Sequence, residues 1–137
     1  MPTLTPGDGQ DLVDRFKRAW ERRDVDAAVA LFSDDAEYRL DPFEAPLTGT
    51  NAIRAYWNDV AASQTHVEFD AERVWVSGPT VLASWHAAFT RRSTAERVRQ
   101  RGFMTLELDE AGLVTRFREW SNERTVGVDR TYRPEAG

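Results

Sequence analysis

The sequence predicts an α+β protein in which three N-terminal helices pack on one face of a strongly bent antiparallel sheet. Two observations predict this fold. Apolar residues recur at helical spacing through most of the first 62 residues, and from residue 65 onward they alternate with a period of two. The turn-forming stretches "SGPT", "RRSTAE" and "DEAG" separate the strands. Helices followed by neighbouring strands on short turns are typical of the α+β class.

The first predicted helix covers residues 10–22. Its apolar residues share one stripe, and they are Leu12, Val13, Phe16, Ala19 and Trp20. Residues 1–8 are rich in Pro, Gly and Thr, so we expect a flexible N-terminus there. We also expect residues 125–137, which are polar, to form a flexible tail. The sequence therefore predicts a single domain over residues 9–124.

Two further helices flank a short strand. Asp24 is a suitable N-cap for the segment "VDAAVALF". A strand over residues 36–41 should end at Asp41, because Pro42 forces its predecessor into an extended conformation and has no N–H to donate. Gly49 then allows a turn into a helix over residues 50–62. One stripe of that helix carries Ile53, Tyr56, Trp57 and Val60.

The remaining strands are predicted over residues 65–76, 80–92, 96–109 and 113–124. In the strand over 80–92, alternation turns Trp85 toward the helices and His86 away from them. The other inward residues of that strand are Val81, Ala83, Ala87 and Phe89. His86 would face the helices only with the opposite alternation. In the last strand Phe117 and Glu119 share one face, but neither face is cleanly apolar, so its orientation stays open.

Composition excludes several classes of function. The net charge of −5 argues against a partner that is nucleic acid or an anionic membrane. With no cysteine, disulfides, thiolate nucleophiles and cysteine-bound zinc are excluded. His66 and His86 are the only histidines and lack metal-ligand spacing, so we expect neither a metal nor a cofactor. The N-terminus resembles no signal peptide and no apolar run is long enough to span a membrane, which predicts a cytoplasmic location.

Three segments carry a resemblance to a known family. "DVDAAVALFSDDAEYR", "PLTGTNAIRAYW" and "GLVTRFREWSN" occur in the order and spacing found in the nuclear-transport-factor-2-like superfamily, in its SnoaL-like branch. The resemblance covers roughly residues 8–124. It implies a cone, in which a bent sheet wraps around the helices and holds a pocket in its mouth. Relatives include polyketide cyclases, ketosteroid isomerases, limonene-epoxide hydrolases and dehydratases, so the resemblance implies a pocket and leaves the chemistry open.

The limonene-epoxide-hydrolase branch suggests which residues line the pocket. Its site positions match Arg39, Asp41, Trp85, Ala87, Phe117 and Glu119. In that branch they hold Tyr, Asn, Arg, Asp, Trp and Asp respectively. The Arg–Asp pair is thus replaced here by Trp85 and Ala87, which argues against the same epoxide hydrolysis. On the first strand the resemblance turns Arg39 and Asp41 inward, whereas apolar alternation favours Tyr38 and Leu40.

These residues predict a site for a small, largely apolar organic molecule. Glu119 and Asp41 are the candidate acid/base pair, because an apolar cavity raises the pKa of a carboxyl toward neutrality. Such a pair suits isomerase, cyclase, dehydratase or hydrolase chemistry. The candidate ligand-binding residues are Arg39, Tyr56, Trp57, Trp85, Ala87 and Phe117.

Two structural interpretations compete with this site. The carboxyls of Glu119 and Asp41 could pair with Arg39, Arg101 or Arg118 on neighbouring strands, and the tryptophans could belong to the core. The alternative function is a non-catalytic ligand-binding or dimeric accessory protein, so whether the chain is an enzyme stays open. We also expect a homodimer through the outer face of the sheet, which carries Phe103 or Trp120.

Overall fold

The computed structural model describes residues 3–134, which form three helices and six strands. The helices are α1 (Pro6–Glu21), α2 (Val25–Val29) and α3 (Thr50–Ser63). The strands are β1 (Phe32–Arg39), β2 (Leu47–Thr48), β3 (Gln64–Ser77), β4 (Thr80–Arg91), β5 (Glu96–Leu108) and β6 (Val114–Val128). The α+β class and the three helices on one sheet are confirmed.

The strands form one mixed sheet in the order β2-β1-β6-β5-β4-β3. The predicted antiparallel pairing is confirmed from β3 to β6, whereas β1 runs parallel to β6. Hairpins join β3 to β6 in sequence and make those pairs antiparallel. No hairpin joins β1 to β6, since α3 and four strands intervene, so nothing imposes an antiparallel pairing there.

The first helix begins earlier than predicted, and the second ends earlier than predicted. Helix α1 begins at Pro6 because Thr5 and Asp8 form a reciprocal capping box and Pro6 suits the first helical position. Residues 6–8, predicted as flexible, are therefore helical. Helix α2 ends at Val29 rather than continuing to Phe32, which is the first residue of β1. A register shift between Phe32 and Glu37 then accommodates the polar "SDD" stretch.

The C-terminal segment is held more firmly than predicted. Strand β6 continues to Val128, so residues 125–128 belong to the sheet. Beyond it, the backbone N–H of Asp129 donates to the carbonyl of Ala95 at 2.7 Å. The Asp129 carboxylate accepts from the Thr90 hydroxyl and lies 2.9 Å from His66 Nδ1. Further along, the Tyr132 hydroxyl donates to the carbonyl of Arg92 at 3.1 Å, and residues 135–137 of the predicted tail lie outside the described part of the chain.

The sheet bends around α1 and α3. Register shifts within β3, and between β5 and β6, mark the bulges at which strands curve. At Gly102 a Cβ would lie 2.5 Å from Trp85 Cζ2, so glycine lets the indole ring lie against β5. The core on the concave side is largely aromatic: Phe16 stacks on Phe117 at 5.8 Å, and Phe69 packs on Trp85 at 5.6 Å. Within residues 3–134, no helix is long and apolar enough to cross a membrane.

The convex face of the sheet carries an aromatic patch, which consists of Trp75, Phe103 and Trp120. Trp75 is 38% exposed and Trp120 is 43% exposed. The Trp75 and Phe103 rings lie 6.1 Å apart, and Phe103 pairs directly with Trp120 across β5 and β6. Arg73 lies 5.0 Å from the centre of the Trp75 ring. Large aromatic side chains gathered on one exposed face are typical of an interaction surface.

Candidate functional site

A small cavity lies between the helices and the concave face of the sheet. Its volume is about 40 Å³, which is little more than the space of one water molecule. Aromatic rings supply most of the wall, and amide and carboxyl groups supply the rest. The lining residues are Phe16, Trp20, Tyr38, Tyr56, Trp57, Val60, Gln64, Gln100 and Glu119.

Glu119 is the only carboxylate among these lining residues. Strand β6 brings it there: Phe117, on the same face, is fully buried, and Glu119 pairs with the buried Met104 of β5. Glu119 keeps part of its surface accessible, and protein atoms crowd around its carboxyl. Burial raises the pKa of this carboxyl from 4.5 to about 7. Near neutral pH the group therefore exchanges a proton readily.

The Glu119 carboxyl has no ion pair and no hydrogen bond within residues 3–134. The cross-strand pairing with an arginine considered above is not formed. Arg39 donates instead to the carbonyl of Glu44, and Arg101 lies 3.5 Å from Glu72. Arg118 belongs to the opposite face of β6. An unpaired buried carboxyl costs stability, which is common at sites kept for function.

Two tyrosines face Glu119 across the cavity. The rings of Tyr38 and Tyr56 lie 5.1 Å apart, and the two phenols influence each other's pKa. Burial, and the negative charge of Glu119, raise the pKa of both phenols. Both hydroxyls therefore stay protonated at neutral pH and remain available as donors beside the carboxyl.

Trp57 and Trp20 complete the aromatic wall. The Trp20 indole N–H donates to the Gln64 side-chain oxygen at 2.8 Å. The Trp57 indole N–H is buried and has no hydrogen-bond partner among the described residues. Phe16 packs edge-on against both indole rings. Aromatic contacts thus pack the cavity wall around α1, while one of its buried donors is left unsatisfied.

The placements of Arg39 and Asp41 expected from the resemblance are wrong. Tyr38, not Arg39, points inward, and Leu40 and Asp41 are exposed beyond the end of β1. The Asp41 carboxylate accepts from the backbone N–H of Phe43 at 2.8 Å and so caps a turn. The physical reason is burial: the apolar ring of Tyr38 takes the inward position that alternation had favoured.

Trp85, Ala87 and Phe117 face inward as predicted, but they lie in the core rather than in the cavity lining. They support the lining rings from behind. Phe117 stacks on Tyr38 at 4.3 Å, and Trp85 packs against Trp20 at 6.0 Å. Of the predicted ligand-binding residues, the structure therefore brings Tyr56 and Trp57 to the cavity together with Glu119.

Several lining residues were not singled out from the sequence as site residues. Gln100 shares the inward face of β5 with the buried Val98 and Met104, so strict alternation along that strand would have identified it. Gln64 lies at the junction of α3 and β3, where neither period applies. His86 faces outward as predicted and lies 3.4 Å from Glu72. Among residues 3–134, no group of His, Cys, Asp or Glu side chains could hold a metal ion.

Fold and cavity together define a class of protein: a cone-shaped α+β domain with a carboxyl inside an aromatic cavity. The chain belongs to the SnoaL-like domain family, whose model matches residues 13–117. No curated protein matches it by sequence.

Solved structures share this fold. A putative isomerase from Bacillus subtilis is 20% identical, with a TM-score of 0.75 over 87% of this chain and 90% of that one. An LEH-like epoxide hydrolase from Mycobacterium tuberculosis is 20% identical, with a TM-score of 0.72 over 85% and 84%. The epoxide hydrolase/cyclase-like enzyme SalBIII, described in pyran ring formation in the polyether salinomycin, is 20% identical, with a TM-score of 0.73 over 88% and 95%. At this identity the likeness concerns the fold alone.

Proposed function

We propose that this SnoaL-like protein binds a small, largely apolar organic molecule at the cone cavity and transfers a proton to or from it through Glu119. The observation that carries this proposal is the Glu119 carboxyl, which is unpaired, partly desolvated and faces an aromatic cavity. Its pKa of about 7 is that of an efficient general acid or base at neutral pH. The reaction class is isomerisation, cyclisation, dehydration or hydrolysis, and the cytoplasm is its proposed location.

The neighbouring groups support a proton transfer next to an oxygen atom of the ligand. The hydroxyl of Tyr38 is a protonated donor near the carboxyl, so it can stabilise negative charge that develops on such an oxygen. The rings of Phe16, Trp20 and Trp57 exclude water, which strengthens these interactions. Asp41 takes no part in this proposal, because its carboxylate is exposed.

A thermal-shift screen against steroids, terpenoids and aromatic polyketides tests the binding step, since a ligand selective for the folded state raises Tm. Once a substrate is found, Glu119→Gln should abolish turnover and leave ligand affinity largely intact. Asp41→Asn is the matched control and should keep full activity. Full activity of Glu119→Gln would remove the acid/base role and leave binding alone.

The aromatic patch favours a second candidate function, that of a non-catalytic ligand-binding or dimeric accessory protein. Trp75, Phe103 and Trp120 form an exposed surface that a second copy of the chain would cover. We infer a homodimer through this convex face, which is compatible with either function because the cavity lies on the concave face. The Glu119→Gln experiment distinguishes the two candidate functions, because this substitution would not affect a purely accessory role.

A further inference from the structure

The Glu119 cavity is too small for any organic ligand as it stands. Its volume of about 40 Å³ compares with roughly 300–1,000 Å³ for ordinary ligand pockets. If the proposed function is right, some part of the wall must therefore move. The structure contains a suitable neighbouring space, since a groove of about 600 Å³ lies along the outer side of α3.

The groove and the cavity share two wall residues, Tyr56 and Val60. The other groove residues are Leu47, Ala52, Ala55, Asp59 and Ser63. Val60 is β-branched, so its side chain is held to one preferred rotamer in a helix. Tyr56 is half-buried, and its long side chain has the groove on its other side. Of the two shared wall residues, Tyr56 is thus the one whose side chain has space to rotate into.

We propose that Tyr56 is a gate, whose side-chain rotation joins the Glu119 cavity to the α3 groove and makes one elongated ligand site. Packing of the Tyr56 ring against Tyr38 at 5.1 Å and against Trp57 at 5.9 Å holds the gate closed in the present structure. Rotation breaks these contacts, and an oxygen atom of the entering ligand takes the place of the Tyr56 hydroxyl beside Tyr38. This inference rests on the proposed function.

The lining of the joined site defines the class of ligand. Leu47, Ala52 and Ala55 make the groove apolar along its length, so they fit the hydrocarbon body of the ligand. Each of the two spaces is lined by one carboxyl group, Asp59 in the groove and Glu119 in the cavity, and these disfavour an anion. The ligand is therefore an elongated, uncharged, mostly apolar molecule with a carbonyl or hydroxyl oxygen at its leading end.

Gln100 lies on a second possible route from the protein surface into the Glu119 cavity. It lines the cavity and also a second surface pocket of about 410 Å³, which is surrounded by Arg99, Arg101 and Arg124. That pocket is polar and so suits an apolar ligand poorly. Gln100 is also tied to Glu123 by a hydrogen bond of 3.4 Å. The α3 side is therefore the favoured entrance, and the two routes can be tested separately.

The gate can be tested without a ligand, because the chain has no cysteine. A Glu119→Cys variant carries a single thiol at the cavity, and its reaction rate with a small aromatic disulfide reagent reports how often the cavity opens. Adding Tyr56→Ala should accelerate the reaction by roughly ten-fold or more, since minor open states are populated at about 0.1–10%. Adding Gln100→Ala instead should leave the rate unchanged.

A third substitution, added to the Glu119→Cys variant, distinguishes opening at Tyr56 from a general loss of stability. Val81→Ala weakens the core near Gly9, away from the cavity lining, and should not accelerate the thiol reaction at a temperature where all variants are folded. Three results would overturn the gate: equal acceleration by Val81→Ala, no acceleration by Tyr56→Ala whatever Gln100→Ala does, or a Glu119→Cys thiol that already reacts like a free thiol. None of these depends on the acid/base role of Glu119, which the turnover experiment tests by itself.

Discussion

Tyr38 and Glu119 face the same cavity from two neighbouring parallel strands. Tyr38 pairs with Phe117 across β1 and β6, and Glu119 follows two residues later on the same face of β6. The parallel pairing of β1 with β6 thus sets a phenol donor beside an unpaired carboxyl. A donor and a proton-exchanging group held by one rigid sheet are suited to act on adjacent atoms of a ligand.

The buried carboxyl should make stability depend on pH. Because the folded-state pKa of Glu119 is raised from 4.5 to about 7, folding is penalised as pH rises through that interval, by about 3 kcal/mol at most. Glu119→Gln removes the penalty. We therefore expect the free energy of unfolding of Glu119→Gln, measured relative to the wild type, to be higher at pH 8 than at pH 4. The increase should be up to about 3 kcal/mol. Urea unfolding at the two pH values measures this.

Glu110→Gln is the control for that experiment, since Glu110 lies exposed in the turn before β6. It should leave the free energy of unfolding close to the wild-type value at both pH values. A Glu119→Gln variant whose stability relative to wild type is the same at pH 4 and pH 8 would show that the carboxyl is solvated.

The contact between Gly102 and Trp85 predicts a strong effect of one methyl group. A Cβ at Gly102 would lie 2.5 Å from Trp85 Cζ2 and 2.8 Å from the Trp120 carbonyl oxygen. Gly102→Ala should therefore destabilise the protein by about 1–3 kcal/mol through overpacking. Gly7→Ala, in the first turn of α1 where the nearest atom is 3.6 Å away, should be neutral or slightly stabilising. Thermal unfolding of both variants distinguishes a tight contact from a general effect of replacing glycine.

The Asp129 contacts predict an acid-sensitive attachment of the C-terminal segment. Hydrogen bonds from Thr131, Thr90 and His66 hold the pKa of Asp129 well below its ordinary value of 3.8. A lowered folded-state pKa stabilises the fold above about pH 4, and that stabilisation is lost as pH falls further. Asp129→Asn should thus lower Tm at pH 7 and lower it less at pH 3. Asp34→Asn, at an exposed carboxylate, is the control, and an equal loss of Tm at both pH values would contradict the expectation.

The aromatic patch predicts that assembly depends on Trp120. A charge placed among Trp75, Phe103 and Trp120 cannot be buried without a large cost, so Trp120→Glu should convert a dimer into a monomer. Ser121→Glu is the neighbouring control, because successive side chains of a strand point to opposite faces. Sedimentation velocity at micromolar concentration gives the outcome, and a monomeric wild-type protein would argue against the dimer.

Alternation predicted orientation well where one face of a strand is strongly apolar. In β4, Trp85 and Phe89 were expected inside, and both are fully buried. In β6 the pattern left the orientation open, since Phe117 and Glu119 share a face on which burial of the carboxyl is unfavourable. Only the pairing of β6 with β1 and β5 turns that face inward.

Long-range contacts account for what sequence reasoning missed. The resemblance to a hydrolase site placed Asp41 beside Glu119, but β1 ends at Arg39 and Asp41 caps a local turn instead. Asp129 lies in a stretch without hydrophobic periodicity, so no local sequence pattern predicts its contacts with Thr90 and His66. Gln64 enters the cavity because α3 passes directly into β3, a junction that no hydrophobic period marks.

The central claim is that Glu119 is a proton-exchanging carboxyl at neutral pH, and its titration tests this most directly. Carbon-13 labelling of glutamate, with Glu119→Gln to assign the resonance, allows the carboxyl shift of this one residue to be followed against pH. We predict a midpoint of about 7, as burial raises the pKa. A midpoint near the ordinary value of 4.5 would contradict the account, because it would mean that the carboxyl is solvated or paired.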